Sequence, residues 1–174
     1  TKISRISIIY TMNYAITGHT GQVGGFLYNN LGNCVGFSKT NGFDITDDDA
    51  QDRIILEAYK CDVFINCTHG GPGTAQTDML WKMYARWKNH NKYIINIGTD
   101  HASPQVWSTV RTDYPLEKSI LAVTVDHIQK QHKTKCKVSI INPNVVTVDT
   151  LADIKQAVQL IVNSRTQINS INLQ

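Results

Sequence analysis

Short apolar, β-branched runs alternate along the chain with longer segments in which apolar residues recur every three or four positions. YAIT (14–17) predicts a strand, VGGFLYNNL (23–31) a helix and CVGFS (34–38) a second strand. Residues 47–59 place Ile54, Ile55, Ala58 and Tyr59 at helical spacing behind Thr46, a hydroxyl suited to cap them. DVFINCT (62–68) reads as a strand, 77–88 as a helix, KYIINIG (92–98) as a strand and 114–131 as a helix. KVSIIN (137–142) supplies a strand and 151–163 a last helix, before a polar tail after Ser164. Strands alternating with helices of this length imply a parallel sheet covered on both faces, because each crossover packs its helix back on the sheet. The fold class is therefore α/β: a single doubly wound parallel sheet of Rossmann type, in three α/β/α layers.

Composition narrows the picture. A chain of 174 residues holds one domain with a real core and is short for two. Hydrophobic residues at 41% against 18% charged mark a globular chain rather than a disordered one. Seventeen Lys and Arg against fourteen Asp and Glu leave +3, too even for a dedicated nucleic-acid binder, and no basic stripe interleaves with aromatics. No apolar run approaches the roughly 18 residues of a membrane-spanning helix, so a soluble protein without a membrane partner is expected. The cysteines at 34, 61, 67 and 136 form no CxxC pair and have no His cluster at zinc spacing. Cys61 and Cys67 sit in or beside apolar runs, which suits buried, reduced thiols and a reducing compartment. The first residues lack the shape of a secretory signal, leaving the cytoplasm as the expected location.

Thr17-Gly18-His19-Thr20-Gly21-Gln22-Val23-Gly24 follows the first predicted strand and opens the first predicted helix. Glycines there allow a tight turn and a close backbone approach to a pyrophosphate, and the helix N-terminus offers free N–H groups and the positive end of its dipole. This is the pattern of a dinucleotide-binding turn, and without a following Lys-Ser/Thr pair it is not a P-loop. A nucleotide-binding unit thus begins at Met12 and runs over 12–174. Residues 1–11 read as an N-terminal extension, although their Ile-rich alternation could equally add a short strand. Some twenty positions beyond the first glycine, where an acidic residue would read the ribose of NAD, stand Ser38 and Lys39. A hydroxyl and an ammonium suit a 2′-phosphate, which favours NADP, with NAD the other possibility.

The TGxxGxxG spacing resembles the short-chain dehydrogenase/reductase superfamily, and the resemblance extends along the chain from Met12. Gly42-Phe43-Asp44-Ile45-Thr46 looks like the family's aspartate segment after its third strand, which implies a contact of Asp44 to the adenine. Asn66-Cys67-Thr68-His69-Gly70 stands where the family has Asn-Asn-Ala-Gly; Asn66 matches, and Cys67, Thr68 and His69 do not. Asn96-Ile97-Gly98-Thr99 resembles the end of the strand that delivers the catalytic serine. Tyr114-Pro115-Leu116-Glu117-Lys118 matches Tyr-x-x-x-Lys, and Asn142-Pro143-Asn144-Val145-Val146-Thr147 is similar to the family's Pro-Gly-x-x-Thr segment, with Asn144 replacing glycine.

Tyr-x-x-x-Lys is common by chance in a chain with seven tyrosines, and Tyr84 with Lys88 forms a second match. Tyr84 shares a stripe with Leu80, Met83 and Trp87 at helical spacing, the mark of a buried or oligomer-facing helix face. Tyr114 instead follows the strand 93–98, at the carboxyl edge where open α/β sheets bind ligands. Four residues apart on a helix, Lys118 would share the face of Tyr114, and its charge would lower the phenol pKa toward general acid/base work. Thr99 and Ser103 are equal choices for the hydroxyl that completes the trio, with Ser108 behind them.

Two departures bear on activity. Pro115 belongs in a first helical turn, which places Tyr114 near a cap and loosens its pairing with Lys118. After Thr147 the chain runs almost directly into the last helix, omitting the long segment that covers substrate in most family members. His69 and His101 flank the cleft edge and Trp107 could meet an apolar substrate, whereas the Lys-rich 127–137 is a solvated helix end. The resemblance implies an NAD(P)-dependent oxidoreductase acting on a small carbonyl or alcohol, with a non-catalytic nucleotide sensor or scaffold as the alternative. It also implies a homodimer or homotetramer assembled through the helices 77–88 and 114–131.

Overall fold

Strands that must be covered twice need apolar side chains on both faces, and the chain supplies them. The computed structural model describes residues 11–69, 73–100, 113–131 and 133–173. Six strands, β1 (Tyr14–Thr17), β2 (Cys34–Phe37), β3 (Val63–Asn66), β4 (Tyr93–Ile97), β5 (Lys137–Pro143) and β6 (Ser170–Leu173), form one sheet in the order β2-β1-β3-β4-β5-β6. Every neighbouring pair is parallel. The helices are α1 (Gln22–Asn30), α2 (Asp48–Ala58), α3 (Ala75–Trp87), α4 (Asp113–Gln129) and α5 (Val148–Asn163).

Alternation within each strand divides the core in two. Ala15, Phe64, Ile94 and Val138 face α2, α3 and α4, meeting Ile54, Met83, Trp87, Leu121 and Val125. Tyr14, Ile16, Val63, Ile65 and Ile95 point the other way, toward Leu27 of α1 and Ile154, Val158 and Ile161 of α5. Strand order reverses beside β1, whose neighbours are β2 and β3. The carboxyl ends of these strands therefore frame a crevice at a topological switch point.

The doubly wound architecture stands as read from the sequence, with three local corrections. The tail after Ser164 is not merely polar: Ser170–Leu173 pairs with Ile140–Pro143 as the sixth strand. It escaped the periodic pattern because an edge strand with half its side chains in water has little apolar signal. Helix α2 is capped by Asp47, whose side chain accepts from Asp49 N, and not by Thr46. The Thr46 hydroxyl turns back to donate to Asp44 Oδ1. Asp44 follows a single 3-10 turn (Lys39–Asn41) rather than a third strand, and β2 is the sheet edge. Leu80, Met83, Tyr84 and Trp87 are all buried in the sheet-facing core, one of the two settings their spacing allowed, and the Tyr84 hydroxyl donates to Gln131 Oε1. No described helix is long and apolar enough to cross a membrane.

Candidate functional site

The glycine turn joins β1 to α1 through a backbone geometry that side chains would block. Gly18 has φ +68, and a Cβ there would press to 2.8 Å on Thr68 Oγ1. A Cβ on Gly24 would collide with the Gly18 carbonyl oxygen, so α1 packs directly on the turn. The N-cap of α1 is Gly21, with no side chain capping the first amides and no acidic residue in the first turn. Those amides face a cleft of about 450 Å³ lined by Gly18, Thr20, Gly21, Gln22, Val23 and Gly24 on one side. Ser38, Lys39, Phe43 and Ile45 form a second wall and Cys67, Thr68 and His69 a third. A cavity of about 780 Å³ exists at the amino ends of β1 and β2, beside Asn13, Cys34 and Lys60. It is remote from the glycine turn and from the carboxyl edge where open sheets bind ligands.

These features fit a dinucleotide. Thr68 Oγ1 is a buried hydroxyl with no hydrogen-bond partner among the described residues, beside the turn. Uncapped helix amides and an orphaned hydroxyl around one cleft are donors awaiting an anionic or polyhydroxyl ligand. Lys39 stands at the rim, its ammonium 3.1 Å from Asp44 Oδ2. The Thr46 amide and hydroxyl and the Lys39 charge hold the Asp44 carboxyl below its ordinary range. Ser38 has turned its hydroxyl inward, to Thr40 Oγ1 at 2.8 Å and Asn41 Oδ1 at 3.3 Å.

Several expected cofactor residues lie under the cleft rather than in its wall. Thr17 and Asn66 are fully buried. Thr17 Oγ1 accepts from the backbone amides of Cys67 (3.1 Å) and Thr68 (3.4 Å), so it shapes the third wall from beneath. Burial pushes the Cys67 thiol up to about 12 against the pull of Lys118, which leaves it an uncharged wall residue. Pro143 ends β5, the Asn144 amide is taken by Leu173 O, and Val145 is exposed. Gln22 reaches across to Val146 O at 3.4 Å, tying the start of α1 to this connection.

The second half of the site lies at the carboxyl end of β4. Thr99, just beyond that strand, is hydrogen-bonded to the phenol of Tyr114 in the first turn of α4. Of the three hydroxyls considered, Ser103 and Ser108 lie outside the described residues, as do His101 and Trp107. Pro115 sits in the first turn as its missing N–H requires. The Lys118 ammonium stands 5.6 Å from the centre of the Tyr114 ring. Its charge does not lower the phenol pKa as expected from the sequence: burial raises it, and the Thr99 hydrogen bond opposes that only in part. Lys118 is itself buried, and its ammonium is pulled down to about 8.

Two neighbours had no signal in the sequence. Gln76, at the start of α3, accepts from Lys118 Nζ at 2.7 Å. Glu117 accepts from the Gly73 amide at 2.6 Å and pairs with His69 Nδ1 at 3.1 Å. The His69 ring meets Tyr114 edge-on, centroids 4.8 Å apart, so His69 links the nucleotide cleft to the phenol.

No protein-family model and no curated protein sequence matches the chain. Solved structures do match in fold. A small-chain dehydrogenase superposes with TM-score 0.73 at 16% identity, over 94% of this chain and 97% of that one. A short-chain dehydrogenase/reductase (glucose/ribitol dehydrogenase) from Brucella melitensis gives 0.72 at 12%, over 94% of each chain. A short chain dehydrogenase from Burkholderia cenocepacia, solved in complex with NADP, gives 0.67 at 12%, over 94% of this chain and 96% of that one. The chain has the fold of these dehydrogenases.

Proposed function

We propose that this chain is a compact short-chain dehydrogenase/reductase that binds NADP, or NAD in its place, over 12–174 and reduces a small carbonyl or oxidises the corresponding alcohol. One observation carries the reading: the glycine-turn cleft and the Tyr114 phenol sit at the carboxyl edge of one sheet, joined by His69, which lines the cleft and packs on Tyr114. When bound, the nicotinamide supplies the hydride for reduction, or accepts it for oxidation. Tyr114 gives its phenolic proton to the carbonyl oxygen as that oxygen becomes an alkoxide, and recovers a proton from solvent. Thr99 holds the phenol in line and stabilises its anion. Lys118, held by Gln76 and Ile97, would offer its remaining N–H to the ribose. Lys39 would hold the 2′-phosphate, and the free amides of the first turn of α1, from Gln22 onward, would hold the pyrophosphate, the Gly21 amide being already bonded to Gly18 O.

A second reading has its own support. Only residues 144–147 separate β5 from α5, so that connection is too short to cover a substrate, which favours a nucleotide-binding sensor without turnover. Both readings place the protein in the cytoplasm as a homodimer or homotetramer. The discriminating experiment supplies NADPH and a panel of aldehydes and ketones to the wild type and to Tyr114→Phe. Turnover by the wild type, lost in the variant with nucleotide binding kept, supports the enzyme; binding without turnover on any substrate supports the sensor.

A further inference from the structure

A chain of buried polar side chains crosses the molecule beneath the site. Thr17 Oγ1 lies 3.4 Å from Asn66 Oδ1, and Asn66 Nδ2 donates to the Gln76 backbone carbonyl (2.9 Å) and to Asn96 Oδ1 (3.1 Å). Gln76 Nε2 donates to two backbone carbonyls, Asn66 O at 2.8 Å and Ile97 O at 3.1 Å. Carbonyls only accept, so the NH₂ end of this amide must face them and its oxygen must face the other way. There Oε1 meets the Lys118 ammonium at 2.7 Å, while Ile97 O takes a second N–H at 2.9 Å.

We propose that Gln76 is the positioning residue of this site: its amide, locked by Asn66 and Ile97, fixes where Lys118 Nζ stands and which of its N–H groups remains for the cofactor. The proposal rests on the reading of Lys118 as the residue that serves Tyr114 and the ribose. An ammonium has three N–H groups; two end on Gln76 and Ile97, and the third is left for the side of Tyr114. Without Gln76 the ammonium would keep only Ile97 O, and two backbone carbonyls would lose a donor in the interior. The charged groups facing Lys118 are few. Glu117 favours its ammonium against burial, Cys67 beside it stays an uncharged thiol, and Tyr114 presents its ring. A neutral amide oxygen in hydrogen-bond contact therefore holds the proton without fixing it as a carboxylate would, consistent with titration near pH 8.

The test follows Lys118 itself, in protein carrying isotope-labelled lysine, by NMR from neutral to strongly alkaline pH, with the signal assigned by its loss in Lys118→Met. Gln76→Glu, the isosteric change, is expected to raise the Lys118 pKa by about one unit or more, and Gln76→Met to lower it. NADPH affinity, measured on the same proteins, is expected to fall about tenfold in Gln76→Met and to be partly restored in Gln76→Glu. A Lys118 titration unmoved in both folded variants overturns the proposal. If Lys118 shifts as described while the wild type binds neither NADPH nor NADH, the positioning role stands and the oxidoreductase reading falls.

Discussion

Lys118 Nζ stands 5.6 Å from the centre of the Tyr114 ring, yet Tyr114 is harder to ionise than a free tyrosine. Two N–H groups of the ammonium are held by Gln76 and Ile97, and the phenol is half-buried, so desolvation outweighs the nearby charge. Tyr114 is thus a resting acid. Carbonyl reduction, which needs the protonated phenol, is expected to hold its rate through neutral pH. Alcohol oxidation needs the phenolate and should keep rising toward and beyond the ordinary tyrosine value of 10.0. Initial rates in both directions across pH check this; an oxidation rate that saturates near neutrality contradicts it.

Burial of Lys118 should also appear in stability. Its pKa is about 8 when folded and 10.5 in the reference state, so between those values the unfolded chain holds a proton the folded one has released. Stability from this group is therefore full above 10.5 and lost as pH falls through about 8. The difference in unfolding free energy between wild type and Lys118→Met should rise over that window by on the order of 3 kcal/mol. Urea denaturation at several pH values measures it, and a flat difference would contradict the burial.

Lys39 and Asp44 form a rim ion pair with most of the lysine in water, a pair of little energetic weight. A 2′-phosphate would outcompete the carboxylate for Lys39. Lys39→Ala is expected to weaken NADPH binding by about tenfold or more and to leave NADH nearly unchanged. Equal losses for both nucleotides in fluorescence titrations would remove Lys39 from 2′-phosphate recognition.

The outer faces of α3 and α4 leave Trp81, Leu116, Ile120 and Val123 exposed, while the stripe first considered for assembly is buried against the sheet. If copies associate through these helices, Leu116→Glu combined with Val123→Glu gives a monomer with an unchanged far-ultraviolet spectrum. Sedimentation equilibrium reads the outcome, and a wild type that is already monomeric at micromolar concentration contradicts it.

What the sequence disclosed divides along physical lines. The glycine turn was legible because its spacing records a local backbone demand, a positive φ at Gly18 and a helix packed on the carbonyl of that residue. Strands buried on both faces were legible because most of their positions had to be apolar, even though Thr17, Asn66, Asn96 and Ser139 among them are buried and polar. β6 was not, because water on one side removes that demand. Gln76 was invisible because its partners Asn66, Ile97 and Lys118 are ten to forty-two positions away and only the fold brings them together. The direction of the Tyr114 pKa was misjudged because spacing on a helix records proximity to Lys118, whereas desolvation depends on what the rest of the chain places over the phenol.

The most direct measurement is a fluorescence titration of the wild type and Gly24→Ala with NADPH and NADH. Saturable binding by the wild type, tighter for NADPH, and its loss in a folded Gly24→Ala protein, where the added Cβ meets the Gly18 carbonyl, is the expected result. A wild type that binds neither nucleotide would contradict the dinucleotide site and the chemistry built on it.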